Sequence, residues 1–430
     1  MEVAPNRDSV RTERKIRAHR LQSSHRRGCL RCVSLAALVA AAALSACGGG
    51  AGAPASPSPA GPIRIGVAVT VIPGAYDAKA MYDPAIKAAT GYIRQHGGWG
   101  GRRVQFVECS SPGDVASDTE CYRDFLAQHV MTEMGILANS FSLAPQLLYP
   151  AGIPTFNITS NASEDRQQWQ NSITPGIVEV DTAVARYACA EGYKNVSWVH
   201  DDTPIDTDAW DIFAASIFHE CGITLNNVPA PYGAPDPAPY VEKAVSTHPD
   251  LLFFAITVPA ATMLNAISNA GYPMSKVVSG LSLNQQFFSD PRAVGITLGS
   301  GWDLPVTQSR VRDVQTYLTA MKKYAPGSNP LAQLSLPAFQ SLITIWEVAK
   351  AVGFANVTGP AIERYMTTRA PGHLRIFAAL TDKNTPAFPG VRVPYFHLYR
   401  WTRGRLVDLG WWPADSTCGS PPACATGIVR

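Results

Sequence analysis

Charge is scarce in this sequence: Asp, Glu, Lys and Arg make up 16% of its 430 residues, against about 25% in a typical globular chain. The formal net charge of +3 is also misplaced. Residues 1–46 hold nine basic residues (Arg7, Arg11, Arg14, Lys15, Arg17, Arg20, Arg26, Arg27, Arg31) against Glu2, Asp8 and Glu13, which leaves 27 basic against 30 acidic residues in the rest. That remainder has no basic stripe of the kind that neutralises phosphates, so nucleic acid is excluded as a natural partner. Motifs with a definite chemistry are missing as well. There is no G-x-S-x-G elbow, P-loop, G-x-G-x-x-G or H-E-x-x-H, and the His200-Asp201 pair has no nucleophile in register, so binding is expected and catalysis is not. Beyond the amino-terminal segment the cysteines and histidines lack the C-x-x-C or H-x₃-H clustering of a zinc site, and neither metal nor cofactor is expected.

Long hydrophobic runs are lacking too. Val33–Ala46 is alanine-rich and apolar but shorter than the ~20 residues that span a bilayer. Preceded by the basic stretch and followed at once by Cys47, it reads as a signal peptide over residues 1–46. Leu44-Ser45-Ala46-Cys47 resembles the bacterial lipobox, which implies lipidation of Cys47 and a chain held on the extracytoplasmic side of a membrane, at the periplasmic face or the cell surface. Arg26 and Arg27 resemble a twin-arginine export motif, with Cys29 where that motif prefers phenylalanine, so the export route stays open. Behind Cys47 the chain continues over residues 48–62 as GGGAGAPASPSPAGP, a composition that favours flexible or polyproline conformations and suits a tether, so residues 47–62 read as a lipidated cysteine and its linker. Six cysteines remain: Cys109, Cys121, Cys189, Cys221, Cys418 and Cys424. In an oxidising compartment they allow three disulfides in 15 connectivities, and sequential pairing (109 with 121, 189 with 221, 418 with 424) closes three short loops worth ~2–4 kcal/mol each.

From Ile63 onward, apolar strand-like runs alternate with helical stretches. IRIGVAV, RVQFVEC, MGILAN, PTFNI, NVSWVHD, ITLNNV, LLFFAI and KVVSGL are separated by helices expected from Pro84, Val115, Leu143, Val178, Asp208, Tyr240 and Ala260. This rhythm means βαβ units and parallel sheets, with about nine strands before residue 282. So many strands fit two sheets better than one. Later helices are expected over Val311–Tyr324, Leu336–Val352 and Pro360–Arg369, then strands over Tyr395–Trp401 and Arg405–Leu409. The expected fold is α/β with two doubly wound parallel-sheet lobes: lobe 1 over 63–180 with 308–385 returning, lobe 2 over 181–307 with 386–412 returning, and a tail over 413–430. Several crossings between lobes make a hinge.

Four stretches carry a resemblance: YIRQHGGWGGRRVQFVECSSPGD (92–114), MGILANSFSLAPQLLYPAGIPTFNITSNASE (134–164), GYKNVSWVHDD (192–202) and LLFFAITVPAATMLNAISNAGY (251–272). In order and spacing they resemble the type I periplasmic binding proteins of the branched-chain (Leu/Ile/Val) amino acid-binding family. That resemblance implies a substrate-binding lipoprotein of an ABC importer, with a small-molecule ligand and an ABC permease in the cytoplasmic membrane as partners. A sensor that presents its closed form to a membrane receptor is the alternative.

In open parallel sheets a ligand sits beyond the carboxyl ends of the strands. The resemblance assigns the grip on a ligand carboxylate to Ser140, Ser142, Thr159 and Ser160, with Phe141 and Asn161 beside them; capping and turn chemistry would also account for such residues. The opposite lobe offers Asp201, Asp202, Thr257 and Ser282. Amino acid-binding relatives carry an acid near the position of Ser282 to hold the ammonium group. Its absence points either to a substitute such as Asp202 or Asp206, or to a ligand that is not a standard amino acid. Tyr76, Tyr82, Phe141, Tyr272 and Trp302 are the aromatic candidates for the cleft wall.

Overall fold

The computed structural model describes residues 61–73, 76–136, 143–158, 167–203, 207, 210–211, 214–279, 285–300, 312–332, 334–368 and 395–413. They build two parallel sheets flanked by helices, the mixed α/β arrangement that the alternation predicts.

The first sheet contains β1 (Ile63–Ile72), β2 (Tyr76–Asp77), β3 (Val104–Ser111), β4 (Thr132–Ile136) and β5 (Thr155–Asn157). Its parallel order is β3-β1-β4-β5, and β2 folds back antiparallel on the end of β1. Along β1, Ile63, Ile65, Val67 and Val69 enter one core, whereas Ala68 enters the core on the opposite face with Val107 and Phe125. A strand covered on both faces must be apolar throughout, which is why IRIGVAV shows no polar alternation.

Helix α1 (Ala78–Gln95) follows β2, α2 (Val115–Ala127) follows β3 and α3 (Ala144–Leu147) follows β4. The sequence suggests a start for α1 at Pro84, since proline suits a first turn. The helix instead begins at Ala78, because the Asp77 carboxylate accepts the Ala80 N–H at 2.9 Å and caps it. Pro84 therefore lies inside the helix, where it removes one donor. The other end stops at the Gly-Gly turn: Gly97 has φ +104°, and the Gly98 N–H donates to Ile93 O at 2.9 Å, a backbone path that glycine takes without steric cost.

The second sheet contains β6 (Asn195–Asp201), β7 (Thr224–Ala230), β8 (Leu251–Ala255), β9 (Val277–Ser279), β10 (Thr297–Ser300), β11 (Tyr395–Thr402) and β12 (Arg405–Pro413). Its order is β7-β6-β8-β9-β10-β11-β12. The first five are parallel, and β11 and β12 close the sheet as an antiparallel hairpin. Helices α4 (Ile177–Ala190), α5 (Ala214–Glu220), α6 (Ala238–Val245), α7 (Ala260–Asn269) and α8 (Gln285–Ser289) accompany it. Strand β10 was not anticipated. It is short and contains Gly299, against which the Phe396 ring of β11 packs so closely that a Cβ would collide with it.

The later helices return to the first sheet. These are α9 (Arg312–Tyr324), α10 (Ser335–Val352) and α11 (Gly359–Thr368). Tyr317, Phe339, Leu342, Ile345 and Ile362 share one core with Ile65, Met134 and Phe156. Ser335 Oγ donates to Met81 O at 2.8 Å, and Ser341 Oγ to Phe156 O at 3.3 Å. Each lobe is thus assembled from separated parts of the chain.

Two disulfides are present among the described residues. Cys109 of β3 is bonded to Cys121 of α2 with Cα atoms 5.6 Å apart, and Cys189 of α4 to Cys221, just after α5, at 5.7 Å. Cys418 and Cys424 lie outside the described residues, as does Cys47. Among the described residues no helix is long and apolar enough to cross a membrane.

Candidate functional site

The parallel strands fix where to look: at their carboxyl ends. In the second sheet β6 ends on Asp201, a carboxyl buried at 5% exposure. Its Oδ2 accepts two hydrogen bonds from Thr257, from the backbone N–H at 3.0 Å and from the hydroxyl at 2.7 Å. These bonds tie the end of β6 to the segment that leaves β8. The second oxygen, Oδ1, is buried and has no hydrogen-bond partner. Burial pushes this carboxyl up to about 6, against the two Thr257 bonds that favour its charge. An unpaired carboxylate oxygen at this end of the sheet is an acceptor without its donor.

His200, beside it, is fully engaged. Its ring stacks on Trp198 at 3.8 Å, and Trp198 stacks on Trp210 at 4.5 Å. Its Nδ1 lies 2.7 Å from Asp201 O and its Nε2 2.6 Å from Asn227 Oδ1, and burial lowers its pKa. A histidine locked into an aromatic stack with both ring nitrogens bonded is a packing group, which removes the one catalytic pair the sequence suggested.

In the first sheet β5 ends on Asn157, 4% exposed, whose side-chain oxygen is buried without a partner. Ser111, at the end of β3, accepts the Gly113 N–H at 3.0 Å. Among the described residues no group of His, Cys, Asp and Glu is arranged to hold a metal ion.

Of the residues singled out in the sequence, Thr257 lies at the carboxyl end of β8, bonded to Asp201. Asp202 is exposed, and its N–H donates to Ala230 O at 2.6 Å. Tyr76 lies in β2 in register with Ile72. Tyr82 is fully enclosed in the first-lobe core; its hydroxyl has no partner, and burial, with the nearby Glu133 charge, raises its pKa well above the ordinary range. Tyr272 donates to Pro249 O at 3.0 Å, at the amino end of β8, opposite the end where a solute would bind. Ser140, Phe141, Ser142, Thr159, Ser160, Asn161, Asp206, Ser282 and Trp302 lie outside the described residues.

Two buried polar groups escaped the sequence reading. Asn157 sits inside PTFNI, where an asparagine reads only as a strand end. Glu133, 1% exposed, sits at the second position of β4. Burial pushes its carboxyl up to about 8, and Oε2 has no partner. The available signal was an acid inside the apolar run TEMGI.

A family model described as periplasmic binding protein matches residues 62–392. No curated protein matches the sequence. Several solved structures share the fold. A leucine binding protein from Thermotoga maritima is 12% identical, with a TM-score of 0.65 over 82% of this chain and 99% of its own. A solute binding protein from Rhodopseudomonas palustris in complex with p-hydroxybenzoic acid is 16% identical, with a TM-score of 0.66 over 82% and 97%. A fatty acid ABC transporter substrate-binding protein from Thermomonospora curvata is 12% identical, with a TM-score of 0.67 over 81% and 92%.

Proposed function

Because this chain belongs to the type I periplasmic binding proteins, the extracytoplasmic and non-enzymatic solute-binding components of ABC importers, we propose that it captures a small carboxylic acid between its lobes. The observation that carries this reading is Asp201 at the carboxyl end of β6: Thr257 saturates one of its oxygens, and the other, buried, awaits a donor. A hydroxyl or amide N–H on the solute would supply that donor. The solute's carboxylate would be gripped by the hydroxyls and backbone N–H groups of Ser140, Ser142, Thr159 and Ser160, with Phe141, Asn161, Ser282 and Trp302 around it, Tyr76 and Asp202 at the rim and Tyr82 behind. The related structures named for leucine, p-hydroxybenzoic acid and fatty acid support this class, since each of those solutes bears a carboxyl group. Leu281-Ser282-Leu283, with no acid, favours an acid that lacks an ammonium group, because a buried ammonium without a counter-charge costs several kcal/mol.

The rest of the proposal concerns placement. Cys47 carries the lipid that anchors the protein beside an ABC permease, residues 63–180 with 308–385 form lobe 1, and residues 181–307 with 386–412 form lobe 2. Cys47→Ser is expected to release the protein from membranes; a variant that still fractionates with membranes as the wild type does overturns the anchor.

A thermal-shift panel of aromatic acids, fatty acids and branched-chain amino acids tests the ligand class. A true ligand at 100 times its dissociation constant adds ~2.7 kcal/mol. Ser160→Ala or Thr159→Val is then expected to weaken binding by roughly ten- to a hundredfold with unliganded melting unchanged. Unaltered affinity in both variants would show that the cleft lies on other loops.

A further inference from the structure

Three helices of the first lobe end at one pole. Gln95, the last residue of α1, accepts hydrogen bonds from Lys323 Nζ at 3.0 Å and Tyr324 OH at 2.5 Å, at the end of α9. Trp346, near the end of α10, donates from Nε1 to Gly98 O at 2.8 Å. Arg102 joins these ends to the start of the folded body: Nη1 donates to Phe354 O at 2.6 Å, and Nε and Nη2 donate to Gly61 O at 3.0 and 2.6 Å. Ile63 N–H donates to Arg103 O at 2.8 Å, so the amino end of β1 lies here too.

The charge at this pole is mainly basic, although exposed Asp124 in the last turn of α2 lies near Arg64. Segments 61–66, 91–107, 314–330 and 348–362 contain Arg64, Arg94, Arg102, Arg103, Lys322, Lys323 and Lys350, and no Asp or Glu. Arg94, Arg103, Lys322, Lys323 and Lys350 are exposed, and Arg64 and Arg102 are half-buried. The adjoining carboxyl, Glu347, is half-buried and pushed up by burial to about 6. Basic residues in last turns complement helix dipoles, which accounts for Arg94, Lys322, Lys323 and Lys350 one by one. It does not account for Arg64, Arg102 and Arg103, which outnumber the acids that flank these segments on the same pole.

We propose that this pole is a docking surface for anionic lipid headgroups. The inference rests on the reading that Cys47 is lipidated, because the pole is where the chain from Cys47 enters the fold. Thirteen residues lie between Cys47 and Gly61, a reach of at most about 50 Å, so the body is confined near the bilayer. A confined basic face turns toward negative headgroups, each basic residue at the surface raising the partition about fivefold at low salt. In that posture β1 runs away from the bilayer, and the carboxyl ends of the first sheet face the solution from which solute arrives.

Sedimentation with vesicles tests the surface independently of the anchor. The chain beginning at Gly48 keeps every described contact, since these begin at Gly61 and the family match begins at residue 62. It is expected to bind vesicles of phosphatidylcholine mixed with phosphatidylglycerol at low salt, to ignore phosphatidylcholine alone, and to dissociate at high salt. Arg94→Glu/Arg103→Glu/Lys322→Glu is expected to reduce binding by roughly a hundredfold or more. The control Lys243→Glu/Lys276→Glu/Arg403→Glu makes the same change of net charge on the second lobe and is expected to retain it, with both variants melting as the parent does. Absence of binding to anionic vesicles, or equal losses in the two variants, overturns the proposal. Mass spectrometry of Cys47 in the cell-derived protein reports on the anchor alone.

Discussion

At the residue scale, buried carboxyls set the pH behaviour. Glu133 is protonated in the folded protein up to about pH 8 but ionises near its ordinary value when unfolded, so between those values the unfolded state binds fewer protons and stability falls as pH rises. Asp201, pushed up to about 6, adds a loss of the same sign over a lower window. Glu133→Gln keeps the shape and removes the titration. It is expected to raise stability at pH 8 by roughly 1–3 kcal/mol and to have little effect near pH 4, read by urea unfolding at both pH values. A variant no more stable at pH 8 than the wild type would show that the carboxyl finds a partner when ionised. Thr257→Val removes one of the two bonds to Asp201 and is expected to cost ~1–3 kcal/mol and to raise the Asp201 pKa, followed by NMR titration. Neither carboxyl's state could be read from the sequence, because burial is a property of packing and a lone acid in a strand looks the same exposed or enclosed.

At the element scale, the sequence was legible wherever one force dominated. Strands covered on both faces showed as IRIGVAV and LLFFAI, and α2, α4 and α10 showed as apolar-periodic runs with boundaries close to those observed. It failed where local and tertiary signals competed. Pro84 masked the Asp77 cap that starts α1, and β10 was hidden because its middle residue, Gly299, is chosen by the Phe396 ring of a strand almost a hundred residues later. The pairing of Cys109 with Cys121 and of Cys189 with Cys221 was legible because each of these loops is short. Replacing both Cys189 and Cys221 by alanine is expected to cost ~2–4 kcal/mol, seen as a lower Tm under non-reducing conditions. An unchanged Tm would mean that the packing of Tyr187, Trp198 and Phe218 already fixes this corner.

At the scale of the whole molecule, two lobes follow from the arithmetic of strands and chain length, and the return of the late helices from the need to cover a sheet already formed. For the proposed cleft the sequence offers only a set of strand ends; which side chains would meet there depends on how the loops lie, which no periodicity encodes. The first lobe's shared core also has a consequence in time. Because Tyr317, Phe339, Leu342 and Ile362 complete the core begun by Ile65 and Met134, a chain that emerges across a membrane from its amino end cannot finish either lobe until more than three hundred residues have passed, and the hairpin that closes the second sheet comes last of all. Until then the apolar faces of β1 and β4 stand uncovered, an aggregation hazard that grows with the delay. A chain ending at residue 310 is therefore expected to be insoluble or protease-sensitive throughout, and a protease-resistant fragment from it would show that the early half folds unaided. Export of this protein would then proceed either with the chain escorted unfolded to its end or with folding completed beforehand, with no productive halfway state.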